Sequence, residues 1–248
     1  VGNVIMTSAY GLSLDMRIAG SAKDLTLITG DGADNITIDI IGNIDDFVSD
    51  TFAGSDSITV FTGGTIQDIR VDSTDGLIFK IDSTGAGDII VDTGNDVDVI
   101  DITVVGDIGF VLFDTNAGAD NVTIDVSRTS DYLTINTGAG SDVIDIAIGG
   151  TMGALSLDTL AGDDIVILAL MHAAGYVRTG ADDDEIWVNF RKIGVSTTPI
   201  ATFDFGLTAN LTLSGNGGSD EYNVGLSGEG TALIDIDDND FNPGNTQD

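Results

Sequence analysis

A short knot of residues recurs along this chain at a nearly constant interval, and that interval limits the fold more than any other property. The segments "TGDGADNITI" from Thr29, "TFAGSDSITV" from Thr51, "TGNDVDVIDI" from Thr93 and "TNAGADNVTI" from Thr115 share one frame. "TGAGSDVIDI" from Thr137, "TLAGDDIVIL" from Thr159 and "TGADDDEIWV" from Thr179 continue it. The opening Thr residues lie 22, 42, 22, 22, 22 and 20 positions apart. In "GNGGSDEYNV" from Gly215 a Gly replaces the Thr, and Ser73 opens a shortened unit around Asp75 inside the gap of 42.

Aliphatic residues alternate on both sides of each knot. Ile36, Ile38, Ile40, then Ile100, Ile102, Val104, then Ile144, Ile146, Ile148, then Val166, Leu168, Leu170 follow it; Leu25, Leu27, Val111, Phe113, Leu133, Ile135, Leu155 and Leu157 precede it. Period two on either side of a Gly-rich turn means strand, turn, strand, and no 3.6-residue period appears. A unit of two short strands cannot bury its own apolar face, but stacked units can. The expected fold is all-β: a single parallel β-solenoid of the β-roll or β-helix kind, about ten coils of two strands each, about 48 Å long. An antiparallel sandwich of some twenty short strands is the other option, but it offers no reason for the constant phase.

The solenoid should occupy residues 1–240, with residues 1–20 as an entry coil that lacks the knot. An insertion near 190–210, "FRKIGVSTTPIATFDFGLTAN", stretches one coil, and 241–248 reads as a polar tail or linker. Expected inward positions are Ile36, Ile100, Ile124, Ile144, Ile146, Val166, Leu133, Ile135 and Leu157. His172, in "LMHAAG", falls in a turn after an apolar strand, as a solvated or capping residue. Trp187 has outward parity beside Ile167, in a patch that the insertion should cover.

Asp and Glu total 41 against 8 Lys and Arg, for a formal charge of −33. Such a surface repels nucleic acid and anionic membranes and attracts cations. There is no Cys, hence no disulfide and no Cys-ligated zinc. No apolar run approaches the ~20 residues of a membrane span. The sequence begins at Val1 without a basic, apolar leader and is expected to be a segment of a larger exported protein.

Each knot ends in an Asp: Asp34, Asp56, Asp98, Asp120, Asp142, Asp164, Asp184 and Asp220. It shares parity with the inward aliphatics, so its carboxyl should point into the turn. Another acid often precedes the knot, at Asp50, Asp72, Asp92, Asp114 and Asp158, with Asn136 in the same column. Two readings stay open. Asp and Gly are ordinary turn residues, and the Asp can staple its own loop with the anchor Thr hydroxyl as a partner. Alternatively, charges stacked about 5 Å apart repel by roughly 0.8 kcal/mol in water and about 3 kcal/mol at an effective dielectric of 20, which a hard cation between coils would relieve.

The stretches "TGAGSDVI" (137–144) and "TGDGADNI" (29–36) resemble the nonapeptide G-G-x-G-x-D-x-(large aliphatic)-x of the RTX (repeats-in-toxin) calcium-binding β-roll, with Thr for the first Gly. The resemblance implies Ca²⁺ held between coils by Asp carboxylates and Gly-region carbonyls. Carried onto this chain, the ligands are Gly30, Gly32 and Asp34; Gly54 and Asp56; Gly118 and Asp120; Gly138, Gly140 and Asp142; Gly162 and Asp164; and Gly218 and Asp220. Asp98 and Asp184 complete the row. The family motif recurs every nine residues; here it recurs about every 22, so only one edge can carry metal. Asp96 and Asp182 stand where the second motif Gly belongs.

The function expected from this is a calcium-binding structural or adhesive module of an exported or cell-surface protein: a stalk, surface layer or extracellular filament. Its partners would be calcium ions and, end to end, further copies of itself or adjoining domains. The alternative is a polysaccharide-acting β-helix enzyme or a carbohydrate-binding domain. An enzyme of that kind needs converging carboxylates on one face, whereas Asp101 and Asp145 are two coils apart with Thr123 between, and Arg128, Arg178 and Arg191 share no column. A flat ice-binding face needs a uniform outward Thr row, and Thr37, Thr59, Asp101, Thr123, Asp145, Ile167, Trp187 is not one.

Overall fold

The structure is a computed structural model that describes residues 1–188, 190–193, 196–199, 209–225 and 232–237. It is a parallel β-solenoid of about nine turns with a repeat of about 22 residues, as the knot spacing requires. Each turn gives one strand to each of two parallel stacks. One stack holds Ala22–Thr29, Ile44–Thr51, Thr65–Ser73, Gly85–Asp92, Ile108–Asp114 and Ser130–Asn136 in sequence. The other holds Asn35–Ile40, Asp56–Thr62, Leu77–Ser83, Val99–Val104 and Asn121–Val126. The strand Val143–Asp158 passes through both stacks, bending after Ile148. Among the described residues no helix is long and apolar enough to cross a membrane.

Register is set by the period-two pattern: a slip of one residue would turn every aliphatic side chain outward. Thus Ile36 pairs in line with Ile58, Ile58 with Phe79, Ile100 with Val122, and Ile144 with Val166. All nine expected core residues are buried, none more than 1% exposed. Burying an aliphatic side chain of this size contributes about 1.5–3 kcal/mol, and rows without gaps repeat that gain at every coil. Phe47 and Phe79 stack across the interior with ring centroids 6.4 Å apart.

The first coil is the thin one. Val4–Thr7 and Ser13–Ile18 pair only with the next coil, and Val4, Met6, Leu12, Leu14 and Met16 are only partly buried against the core. Within the insertion, Phe190–Ile193 and Ser196–Pro199 form an antiparallel pair, and the first of them lies against Ile165–His172. Ile167 and Ala169 are buried there despite their outward parity, whereas Trp187 beside Ile167 is half-buried, so the expected apolar patch is covered in part. His172 differs from expectation: it ends a strand, opposite Thr151, because a register shift after Ile148 brings Thr151 into line with it. The tail 241–248 lies outside the described residues.

Candidate functional site

All eight knots fall on one edge of the solenoid, where the chain leaves the first stack and enters the second. The inward anchor closes one strand and the inward Asp precedes the next. Thr29, Thr51, Ser73, Thr93, Thr115, Thr137, Thr159 and Thr179 form a buried row. Asp34, Asp56, Asp98, Asp120, Asp142, Asp164 and Asp184 form a second, each no more than 2% exposed, and Asp220 is half-buried at the end. Parity therefore placed the carboxyls correctly. In the shortened coil the knot position belongs to Leu77, which pairs with Asp56, and Asp75 instead accepts the Gly54 N–H at 3.0 Å.

Each knot carboxyl binds through its Oδ1, and those of Asp98, Asp120 and Asp164 bind through their Oδ2 as well. The Oδ1 accepts the backbone N–H of the equivalent residue one coil earlier. The Asp34 N–H donates to Asp56 at 2.9 Å, Asp98 to Asp120 at 2.9 Å, Asp120 to Asp142 at 2.8 Å, Asp142 to Asp164 at 2.8 Å, Asp164 to Asp184 at 2.9 Å and Asp184 to Asp220 at 3.1 Å. Leu12 donates to Asp34 and Leu77 to Asp98 in the same way. The Oδ2 faces the anchor of its own knot: Thr115 donates to Asp120 at 2.6 Å, and Thr93 and Thr159 donate to Asp98 and Asp164. At Thr51–Asp56, Thr137–Asp142 and Thr179–Asp184 the hydroxyl still favours the ionised carboxyl, although the contact is not a well-aligned hydrogen bond. Sequence reasoning foresaw the staple to the loop's own Thr. It missed the bond to the preceding coil, whose only signal is the fixed place of the Asp just before each second-stack strand.

Burial has a price in proton affinity. Loss of water, more than any other cause, raises Asp56, Asp120 and Asp142 above the usual carboxylate range, and pushes Asp98 to about 6, Asp164 to about 7 and Asp184 to about 6. Neighbouring carboxylates add to the rise at Asp164, flanked by Asp142 and Asp184.

The glycines of the knot answer to stacking. Gly140 has φ 149°, and a Cβ there would sit 1.4 Å from the Gly118 carbonyl oxygen of the coil below. Knot carbonyls are used between coils too: Gly140 N–H donates to Ala161 O at 2.8 Å, Gly118 N–H to Ala139 O at 3.0 Å and Gly217 N–H to Gly180 O at 3.2 Å. Where the chain takes the same turns without Gly, it does so at Asn116 (φ 62°), Leu160 (φ 66°), Asp182 (φ 88°) and Asn216 (φ 64°).

The outer acidic column runs beside the anchors. Asp50, Asp72, Asp92, Asp114, Asn136 and Asp158 are in register, and Arg178 follows Asp158. Asn136 Nδ2 donates to Asp114 Oδ1 at 3.2 Å. Partial burial, then Asp72 and Asp114, raise the proton affinity of Asp92.

The residues expected to ligate calcium are thus gathered on one edge; every knot Oδ1 already has a backbone partner, whereas the inward Oδ2 atoms of Asp34, Asp56, Asp142 and Asp184 are buried without one. A calcium ion takes six to eight oxygens, and among the described residues no three His or acidic side chains converge on a point. On the opposite face, Asp101 and Asp145 remain two coils apart with Thr123 between, and Lys80 is paired with Asp101.

Compared with known proteins, the chain matches no family model, no curated protein and no solved structure.

Proposed function

We propose that the chain is a structural segment, a stiff rod within a larger exported or cell-surface protein such as a stalk, surface layer or filament. One observation carries this reading. The Asp–backbone contacts repeat at every knot from Asp34 to Asp220 and tie each of these coils to the one before it by a carboxyl, beyond the strand pairing itself. Repetition of that kind supports rigidity along an axis rather than chemistry at a point. The separation of Asp101 from Asp145 fits the absence of a catalytic role in this proposal.

Two measurements test it. Antibodies raised against the chain should label unpermeabilised cells or their surroundings, and small-angle scattering should give an elongated rod. Label that appears only after permeabilisation, or a compact particle, overturns the reading.

Calcium binding is a second reading, supported by the outer column Asp50, Asp72, Asp92 and Asp114 at one-coil spacing and by the unpartnered inward Oδ2 atoms of Asp34, Asp56, Asp142 and Asp184. On this reading, calcium in excess over its dissociation constant by a hundredfold adds about 2.7 kcal/mol per site, and a chelator lowers Tm. Identical melting curves with calcium and with chelator remove calcium from the function.

A further inference from the structure

At the corner opposite the knots, the chain opens a cleft of about 540 Å³. Its origin is local. The coil that enters the first stack at Gly85–Asp92 begins Gly85, Ala86, Gly87, whereas the coil before it has Thr65, Ile66, Gln67 in the same rows. Three positions with almost no side chain form a floor, and the neighbouring coils rise on both sides as walls. Asn43, Asp45, Thr65 and Gln67 line one wall; Asp107 and Arg128 line the other.

The rim offers a mixture of hydrogen-bonding groups. Gln67 and Asp45 are exposed and make no side-chain hydrogen bond or ion pair among the described residues. Asn43 uses its Oδ1 to accept the Thr65 N–H at 3.1 Å, which leaves its Nδ2 as a donor toward the cleft. Asp107 is held ionised by Thr129, whose hydroxyl and N–H donate to it at 2.6 and 3.1 Å, and its other oxygen lies 3.9 Å from Arg128.

This mixture selects a ligand class. Asp45 and Asp107 stand three coils apart, about 14 Å at the spacing of parallel strands, so no single cation can bridge them. An anion meets two carboxylates, one Arg and a chain of charge −33. A flat apolar ligand would leave the polar walls desolvated without partners. A hydroxyl-rich neutral ring suits all three surfaces: its hydroxyls both donate and accept, and its C–H face can lie on the bare Gly–Ala–Gly backbone. We propose that the cleft over Gly85–Gly87 is a binding site for a neutral sugar residue of a glycan chain. This site does not depend on the rod reading, and a rod without it remains a rod.

The test uses amide chemical shifts of the ¹⁵N-labelled chain, titrated to about 10 mM with neutral trisaccharides of glucose, mannose, galactose and N-acetylglucosamine, a range that reads millimolar affinity. At least one should give saturable shifts confined to residues 64–67, 84–87, 106–108 and 128. Gly85→Thr fills the floor: the position lacks a left-handed φ, and its Cβ would meet Thr65 Cγ2 at 3.2 Å, a side-chain end that can give way, and the Asp107 carbonyl oxygen at an ordinary contact distance of 3.6 Å. That variant should keep or raise Tm and abolish the shifts, while Gln67→Ala weakens binding roughly tenfold. No saturable shift with any of the four sugars, shifts centred elsewhere, or unchanged binding by Gly85→Thr overturns the proposal.

Discussion

Raising the pH from about 4.5 to about 8.5 should lower the melting temperature, because the interior Asp row gives up protons that the folded state holds more tightly than the unfolded chain does. Asp98, Asp164 and Asp184 sit near 6, 7 and 6, against 3.8 for the free side chain. For a carboxyl raised on folding, the native state binds more protons between those two values. Its stability is therefore complete below about pH 4 and falls as the pH climbs through 6 to 7. A tenfold change in proton affinity corresponds to about 1.4 kcal/mol, so one such group removes on the order of 3 kcal/mol across the window. For a chain of this length that is roughly 6 to 12 °C. The three share one row and titrate as a set, so their effects do not simply add.

Circular dichroism melts in about 0.5 M NaCl with chelator isolate this effect, because salt screens the general repulsion of exposed acids far more than it screens buried ones. Asp164→Asn is the decisive variant. Its amide keeps an oxygen for the Asp142 N–H, now bound at 2.8 Å, and its Nδ2 can donate to Thr159 Oγ1, whose own proton turns to the Thr179 carbonyl 3.0 Å away. The network is then filled without charge. The variant should melt above the parent at pH 8 and show a flatter pH curve. A Tm that is flat or rises with pH, or an Asp164→Asn chain that melts lower at pH 8, refutes the argument from buried protons and favours an ion that needs the charge.

Other expectations follow from the packing. Ile144→Asp places an unpaired charge in a row that is fully buried and should cost several kcal/mol; an unchanged melt would mean the register is wrong. Gly140→Val should prevent close stacking, since even a Cβ meets the Gly118 carbonyl at 1.4 Å; retention of Tm within a few degrees refutes that geometry. Leu160→Gly should do the reverse, relieving a left-handed residue at φ 66° and raising stability by about 1 kcal/mol, which a denaturant melt measures directly.

The fold was legible because its two signals reinforce each other. Period two assigns Ile36, Ile58 and Ile144 to one face, and a spacing of 22 stacks them, so one strand's parity predicts the next. The covered patch at Ile167 was legible for a similar reason: a long apolar run beside an insertion needs a lid. His172 was not, since a strand's last residue depends on whether its neighbour still offers a partner, here Thr151. The cleft over Gly85–Gly87 was also invisible, because "TGAGD" at 84–88 resembles the knot and only the register shows that it lies at the other corner.

The knot itself shows where residue types stop being informative. Thr, Gly and Asp at these positions suit a cation cage and a self-bonded turn equally, since both need an inward carboxyl and a backbone free of Cβ. The partner of the carboxylate oxygen separates the two. In a repeat of nine residues, both strands of a coil end in such a turn. Here the knot Asp's own backbone N–H reaches the carboxyl of the next coil's Asp, as the 2.8 Å contact from Asp142 to Asp164 illustrates. The carboxyl then serves as a rung, and the ionised form is needed only to accept. A neutral carboxyl or an amide accepts as well. That is why Asp164→Asn, conservative in shape and not in charge, divides a rod held by its own hydrogen bonds from one held by metal.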